Sequence, residues 1–203
     1  MTNEKRLSVN RIMKMTVAAA AALMLCLLML TGCSSANGAE KKVAKELDAL
    51  SRSDSVGSEV VNLRESLSKE GREDFDEFLD KLRDFDYEVT GSKAGDDPEA
   101  DYTEVYVRIR TYDFGREYLA AWTEYLKAHG EGLDENSDMT DFYELLFDRL
   151  SDLDEKDCIR DISIVCIDPL DNGEWIANIK ENEELQDAVF GGMMTEMKTL
   201  AAE

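Results

Sequence analysis

Four side chains at alternate positions have the types and spacing needed for binding chemistry. Successive side chains of an extended strand point to opposite faces, so residues two apart share one face. Guanidinium groups bind carboxylates in a bidentate manner and stack on aromatic rings. The pattern predicts a basic and aromatic ladder that could hold an acidic peptide, a polyanionic wall polymer or a carbohydrate. Its members are Tyr106, Arg108, Arg110 and Tyr112.

The acidic side chains of a neighbouring predicted strand give these arginines a simpler explanation. Asp86 and Glu88 fall on the matching face of that strand. Opposite charges that lie directly across two strands stabilise the pairing. We therefore favour a structural pairing for Arg108 and Arg110, with ligand binding as the alternative.

A stripe of aromatic residues at helical spacing is the candidate for chemistry inside the fold. Tyr118, Trp122, Tyr125 and His129 would share one helix face. Such a stripe is typical of core packing, and a histidine near a helix end is typical of a cap that interacts with the helix dipole. No nucleophile with an adjacent base, and no phosphate-binding loop, can be recognised. We expect no enzymatic activity and no cofactor.

The acidic loops suggest calcium but depart from the pattern that calcium requires. Asp134, Asn136 and Asp138 occupy positions one, three and five of an EF-hand-like loop. Met139 stands where the turn needs glycine, and Leu145 where a bidentate glutamate is needed. A solvated loop is the favoured interpretation, and a small-ligand or calcium-binding module remains an alternative.

Two cysteines, Cys158 and Cys166, lie in the part of the chain expected to fold. A continuous strand would separate them by about 26 Å, which is far beyond the span of a disulfide. We expect two free, mostly buried thiols, because a bridge would need a turn between them.

Helical periodicity describes most of the rest of the chain. Apolar spacing predicts three helices over residues 39–83, with Gly71 separating the second from the third. It predicts further helices from Phe114 to about Gly130 and over Phe142–Leu153. A last helix should cover Glu183–Ala202, with a kink at Gly191-Gly192.

Alternation of apolar and polar residues predicts two hairpins. The first joins a strand at residues 85–89 to one at 105–112. The second joins Ile162–Ile167 to Trp175–Ile179 through Asn172-Gly173, a strong hairpin signal. The predicted fold class is α+β, in which two β-hairpins form a four-stranded antiparallel sheet packed against helices.

This alternation of helices and hairpins resembles cystatin-like and NTF2-like domains. Arg110-Thr-Tyr-Asp-Phe-Gly115 entering a helix, and Asn172-Gly-Glu-Trp175 in a late hairpin, are similar to features of uncharacterised small lipoproteins of Gram-positive bacteria. The resemblance implies a curved sheet around helices, with a cone between them that houses active sites in some NTF2-like enzymes. It implies no catalytic residues for this chain, and a hydrolase or isomerase that uses the cone is the less favoured alternative.

The N-terminus has the layout of a secretory signal. A basic stretch with Lys5, Arg6, Arg11 and Lys14 precedes the apolar run Met15–Leu30. Leu30-Thr31-Gly32-Cys33 then resembles the lipobox of bacterial lipoproteins, which implies cleavage before Cys33 and diacylglycerol on its sulfur. Two acyl chains give stable anchoring. An uncleaved signal anchor is the alternative.

These features predict a signal helix and peptide over residues 1–32, a lipidated cysteine and tether over 33–40, and a single domain over 41–203. Residues 1–32 carry four basic side chains and one acidic one, so their removal changes the net charge from −22 to −25. A domain this acidic is repelled by nucleic acid. We expect a non-enzymatic binding module, anchored in the bilayer on the extracytoplasmic face, with a protein, peptide or wall-polymer partner. In a Gram-negative organism the anchor could lie in the outer membrane.

Overall fold

A four-stranded antiparallel sheet organises the computed structural model, which describes residues 38–53, 58–95, 102–130, 138–170 and 172–202. The strands lie side by side in chain order. They are β1 (Asp86–Ala94), β2 (Tyr102–Thr111), β3 (Cys158–Ile167) and β4 (Ile176–Ala177). The predicted α+β class and the four-stranded antiparallel sheet are confirmed.

The two hairpins differ in how far their strands pair. β1 and β2 pair along almost their whole length, whereas β4 pairs with β3 only at Cys166 and Ile167. β3 begins at Cys158, four residues before the predicted Ile162. In the turn before β4, the Asp168 carboxylate accepts hydrogen bonds from the backbone nitrogens of Asn172 and Gly173.

Seven helices are described around this sheet, and three of them have clear N-terminal caps. The side chains of Ser68, Asp113 and Asn182 each accept a backbone hydrogen bond at a helix start. The helices are α1 (Ala39–Ser51), α2 (Ser58–Ser66), α3 (Lys69–Arg83), α4 (Phe114–His129), α5 (Thr140–Ser151), α6 (Glu183–Val189) and α7 (Met193–Ala202). None of the described helices is long and apolar enough to span a membrane.

Gly71 does not separate two helices, so this prediction was wrong. The break falls earlier, at Leu67 and Ser68, and Gly71 lies in the first turn of α3, where its nitrogen donates to the Ser68 hydroxyl. A Cβ on Gly71 would lie 3.2 Å from Cγ of Glu144 in α5. The close approach of α3 to α5 therefore explains why a residue without a side chain occupies position 71. The helix α3 continues through Gly71 without a break.

The predicted kink at Gly191-Gly192 is confirmed as the break between α6 and α7. Both glycines have positive φ, 53° and 83°, which disfavours side chains. A Cβ on Gly191 would meet the carbonyl oxygen of Tyr112 at 2.0 Å. Glycine is required because the chain between α6 and α7 runs directly against the end of β2.

One face of the sheet, the inner face, is covered by helices. α1 contacts all four strands, and α6 contacts β2 and β3. Tyr87 of β1 ties α1 to the sheet, because its hydroxyl donates to Oδ1 of Asp48 at 2.7 Å. A second group of helices, α3, α4, α5 and α7, packs around α4 and α5. The buried inner-face residues are Val105, Val107, Ile109, Ile162, Ile164 and Cys166.

β1 forms one edge of the described sheet and is interrupted by a bulge. Pairing with β2 shifts register between Val89 and Gly91, so Thr90 is left over. None of the side chains along β1 is fully buried. The strand is an irregular, polar edge.

Candidate binding face on the sheet

The face of the sheet opposite the helices, called the outer face below, gathers the alternate residues of each strand. The register places Tyr106 beside Ser163, Arg108 beside Asp161 and Glu104 beside Val165. Within the described part of the chain, helices pack only on the inner face. The outer face comprises Asp86, Glu88, Gly91 and Lys93 of β1, Tyr102, Glu104, Tyr106, Arg108 and Arg110 of β2, Ile159, Asp161, Ser163, Val165 and Ile167 of β3, and Ile176 of β4.

One end of the outer face is charged, with an arginine between two acids. Arg108 binds Asp161 in a bidentate manner, with Nε 2.8 Å from Oδ1 and Nη2 3.3 Å from Oδ2. Glu88 lies directly across from Arg108 on the other side. Hydrogen bonding to Asp161 is the main cause that raises the pKa of Arg108, and the charge of Glu88 adds to it. Arg108 is therefore paired through Nε and Nη2 within its own sheet.

Arg110 differs from Arg108 because it makes no ion pair with any of the described residues. Its position is directly across from Asp86 in β1 and Ile159 in β3. Asp86 instead lies 3.4 Å from Nζ of Lys156. The predicted register against Asp86 and Glu88 is confirmed, but the ion pair that forms joins Arg108 to β3. Arg110 presents an exposed guanidinium to solvent.

The other end of the outer face is apolar. Tyr102, Ile167 and Ile176 form one continuous row across β2, β3 and β4. The side chains of Ile167 and Ile176 are 41 % and 54 % exposed, and that of Val165 is 37 % exposed. Leu170, in the turn that follows β3, is 72 % exposed. Contiguous exposed aliphatic groups mark a surface that is suited to association.

Tyr106 lies between these two ends. It is 37 % exposed, and its hydroxyl lies 3.2 Å from Oε2 of Glu104. Its ring adds aromatic surface in the row that Tyr106 shares with Gly91 and Ser163. Tyr106, Arg108 and Arg110 thus share the outer face as predicted, whereas their role in ligand binding stays a prediction.

Tyr112 does not belong to this ladder, so its predicted placement was wrong. β2 ends at Thr111, and beyond it the chain no longer alternates, which turns the Tyr112 side chain into the core at 8 % exposure. Its hydroxyl donates to Oδ2 of Asp84 at 2.9 Å, and Nζ of Lys81 lies 5.4 Å from its ring centre. Burial is the main cause that raises the pKa of Tyr112, and the Asp84 carboxylate adds to it.

Asp84 joins three elements at this corner. Besides Tyr112, its carboxylate accepts a hydrogen bond from Nζ of Lys156 at 2.7 Å. This hydrogen bond is the main cause that lowers the pKa of Asp84. The cluster fastens the end of α3, the start of β1 and the segment before β3, which is a structural role.

The predicted aromatic stripe of α4 packs in the core. Tyr118, Trp122 and Tyr125 are buried, and all three rings contact Phe142 of α5 edge-on. The ring of His129 stacks on Tyr125 with centres 4.2 Å apart, and Nδ1 donates to the Tyr125 carbonyl oxygen at 3.1 Å. The core and helix-end interpretations are confirmed for these four residues.

The acidic loops give no metal centre among the residues that the structure describes, where no group of three or more His, Cys, Asp or Glu side chains could hold an ion. Asp134 and Asn136 of the EF-hand-like loop lie outside the described residues. Asp138 accepts a hydrogen bond from the Thr140 nitrogen at the start of α5. In the second acidic stretch, Asp157 pairs with Arg116 at 3.3 Å.

The two cysteines are free, as predicted. Cys158 is half-buried and Cys166 is buried, at opposite ends of β3. Burial raises the pKa of Cys166 to about 11, so its thiol stays protonated and unreactive. Cys33, the predicted lipidation site, lies outside the described residues, as does the predicted signal helix.

A shallow hollow of about 310 Å³ separates α2 from α3. Its floor is apolar, with Val60, Phe75 and Leu79. The Arg64 guanidinium closes one side by a bidentate pair with Asp76, at 2.7 and 2.6 Å. The hollow is small and polar-rimmed, and its walls are already paired.

Sequence reasoning missed the apolar end of the outer face. Val165 and Ile167 lie within a run of apolar residues, Ile162–Ile167, that reads as uniformly buried. Val165 and Ile167 fall at odd-numbered positions, whereas the buried Ile162 and Ile164 fall at even-numbered ones. This alternation could have separated the exposed residues of the run from the buried ones. Asp161, the partner of Arg108, lies 53 residues away along the chain, and no local pattern indicates that pairing.

Comparison with known proteins adds no family to this description. No protein-family model matches the chain, and neither curated proteins nor solved structures give a significant match.

Proposed function

We propose that this protein is an extracytoplasmic lipoprotein, anchored through Cys33, whose domain is a non-enzymatic binding module that uses the outer face of its sheet. The observation that carries the binding proposal is the absence of any described helix on the outer face, although that face holds a contiguous row of exposed apolar side chains. The lipobox-like Leu30–Cys33 segment supports the anchor.

The chemistry of the outer face favours a protein partner over a wall polymer. A polyanion needs several free cations, but Arg108 is already held by Asp161 at 2.8 Å, and Arg110 is the one arginine of β2 without an ion pair among the described residues. The outer face has exposed apolar area at Val165, Ile167 and Ile176, which the apolar surface of a protein partner would cover.

A cystatin-like or NTF2-like fold remains our proposal for the architecture. It is supported by α1, which lies across all four strands of the antiparallel sheet. An active-site cone would require open space on the inner face. The core instead fills that face with buried Val105, Ile109 and Ile164, which supports binding at the outer face over chemistry at the inner one.

The anchor is tested by feeding producing bacteria an alkyne-tagged palmitate. Label should enter the wild-type chain and the Cys26→Ala variant and be lost from Cys33→Ala, since Cys26 lies inside the signal. Label retained by Cys33→Ala, or a mature chain that still carries residues 1–32, would overturn the anchor.

The binding face is tested by photo-crosslinking in intact cells. A benzoylphenylalanine at Tyr106 should form an adduct with a second polypeptide, whereas the same residue at Leu126 of α4 should not. The two positions are equally exposed, at 37 %, so accessibility is matched. Equal adduct yields at both positions would count against the outer face.

A further inference from the structure

The distribution of groups on the outer face is self-complementary. We propose that its partner is a second copy of this chain, packed face to face with the strands of the two copies antiparallel. This inference rests on the proposed function of the outer face and names its occupant. A symmetric dimer uses the same patch on both copies, so each group must face a suitable group of the same patch.

The symmetry axis of such a dimer would run across the strands through the row of Tyr106 and Ser163. Each outer-face residue before that row would then face, in the other copy, the residue of the same strand that lies equally far beyond the row. On β2, Glu104 then faces Arg108 of the other copy, and Tyr102 faces Arg110. On β3, Ile159 faces Ile167 of the other copy.

These pairings match in charge and in polarity. Glu104 and Arg108 have opposite charges, and the Arg108 guanidinium can bind a second carboxylate through Nη1, because Asp161 occupies only Nε and Nη2. Arg110, which has no ion pair among the described residues, meets the ring of Tyr102, an arrangement suited to a cation–π contact. Ile159 and Ile167 are 50 % and 41 % exposed in one chain, and they cover each other in the dimer.

At the centre of the patch each residue on the axis faces its own counterpart, so Tyr106 meets Tyr106 and Ser163 meets Ser163. Ser163 is a small residue on the symmetry axis, flanked by Tyr106 of β2. Sheets that pack face to face lie about 10 Å apart, with strand directions within about 30°, so the matching is best near the axis. Asp161 faces Val165 of the other copy, but it remains bonded to Arg108 of its own chain.

The available area suits a modest dimer. β2 and β3 are each ten residues long, and β1 is nine. At the usual rise and spacing of strands they cover roughly 33 Å by 14 Å of planar area, and the side chains standing on it present more. Stable interfaces bury about 800 Å² on each partner, so we expect an interface at the lower end of that class.

The experiment uses the full chain in intact cells that co-express two differently tagged copies. Irradiation of benzoylphenylalanine at Tyr106 should give an adduct of twice the mass that carries both tags, because Tyr106 lies on the axis. Benzoylphenylalanine at the equally exposed Leu126 should give no such adduct.

Substitutions at Val165 test the geometry of the pairing. Val165→Glu places a carboxylate opposite Asp161 of the other copy and should lower the yield of the two-tag adduct at least tenfold. Val165→Lys places an ammonium there and should keep the yield within about twofold. Leu126→Glu, at the same 37 % exposure in the starting chain, should leave the yield unchanged.

The outcomes separate the two proposals. An adduct at Tyr106 that contains a different protein and only one tag would overturn the second copy as occupant and leave the binding face standing. Equal yields for Val165→Glu and Val165→Lys would overturn the antiparallel geometry. No adduct at Tyr106 above the Leu126 level would overturn both proposals.

Discussion

The inner and outer faces of this sheet are built from the same strands yet have different physical roles. On β2, inward Val105, Val107 and Ile109 are almost fully buried, while outward Tyr106 and Arg108 are exposed. Burying an apolar side chain stabilises the fold by about 1.5–3 kcal/mol, and the inner face gains this within one chain. The outer face can gain it only from another molecule. Stability and association are therefore separable by face, although adjacent residues contribute to them.

We expect the largest difference between the two faces when one isoleucine on each face is replaced by alanine and the free energies of unfolding are compared. Ile109→Ala removes a fully buried side chain and should lower the free energy of unfolding by about 2–5 kcal/mol. Ile167→Ala, on the outer face at 41 % exposure, should lower it by less than about 1 kcal/mol. Urea unfolding measures both, and similar losses would contradict the division by face.

The glycine break that seats α6 and α7 should matter nearly as much as the inner face itself. Gly191→Ala adds a Cβ 2.0 Å from the Tyr112 carbonyl oxygen and should cost about 2–4 kcal/mol, from the clash and the positive φ together. Gly173→Ala is the matched control, because its φ is also positive but nothing lies within 4 Å. It should cost about 1 kcal/mol. If thermal unfolding shows equal losses of stability for the two variants, the positive φ alone, and not the clash with Tyr112, explains the cost.

Removing the hydroxyl group of Tyr106 on β2, or of Tyr112 just beyond it, compares the outer face with the core through smaller changes in the free energy of unfolding. Tyr112→Phe removes the hydroxyl that donates to Asp84 and should lower the free energy of unfolding by about 1 kcal/mol. Tyr106→Phe, on the outer face, should change it by less than about 0.5 kcal/mol. A larger loss at Tyr106 in urea unfolding would mean that the outer face also supports the fold.

The smallest expected effect is a pH dependence with opposite signs at two aspartates. The pKa of Asp84 is lowered from 3.8, chiefly by Lys156, so its stabilisation is present above that ordinary value and is lost as pH falls through the folded pKa. The pKa of Asp74 is raised, chiefly by burial and then by Asp148. Its ionised form therefore opposes folding at neutral pH, and this opposition is relieved as pH falls through the raised pKa.

Asparagine variants test these two signs. Asp84→Asn should be less stable than wild type at pH 7, and the difference should shrink as pH falls below 3.8 and through the lowered folded pKa. Asp74→Asn should be at least as stable as wild type at pH 7. Urea unfolding across this pH range distinguishes them, and a destabilised Asp74→Asn at pH 7 would show that its hydrogen bond with Ser151 outweighs the repulsion.

The sheet was predicted well from the sequence where the alternation of apolar and polar residues matches the alternation of buried and exposed positions. Alternation along β2 identified buried Val105, Val107 and Ile109, and the spacing of Asn172-Gly173 located the second hairpin. Tyr112 was misplaced because alternation does not report where a strand ends. Gly71 was misread because a glycine that allows close packing, here against Glu144, resembles one that ends a helix.

The candidate site was predictable only in part. Tyr106, Arg108 and Arg110 follow from spacing within one strand, which is local information. The ion pair of Arg108 with Asp161 and the apolar row of Tyr102, Ile167 and Ile176 depend on the register between distant strands. Two helices, α4 and α5, separate β2 from β3 along the chain, so patterns within one strand do not contain this register.

The bulge at Thr90 has a consequence for how copies of this chain meet at high concentration. A regular nine-residue edge such as β1 would template further strands and lead to open-ended, fibre-like stacking. The register shift between Val89 and Gly91 breaks that template midway, and Asp86, Glu88 and Lys93 keep the edge charged, which protects edge strands from pairing. Growth along this edge is therefore disfavoured, and the dimer proposed above uses a face instead, where association would close at two copies.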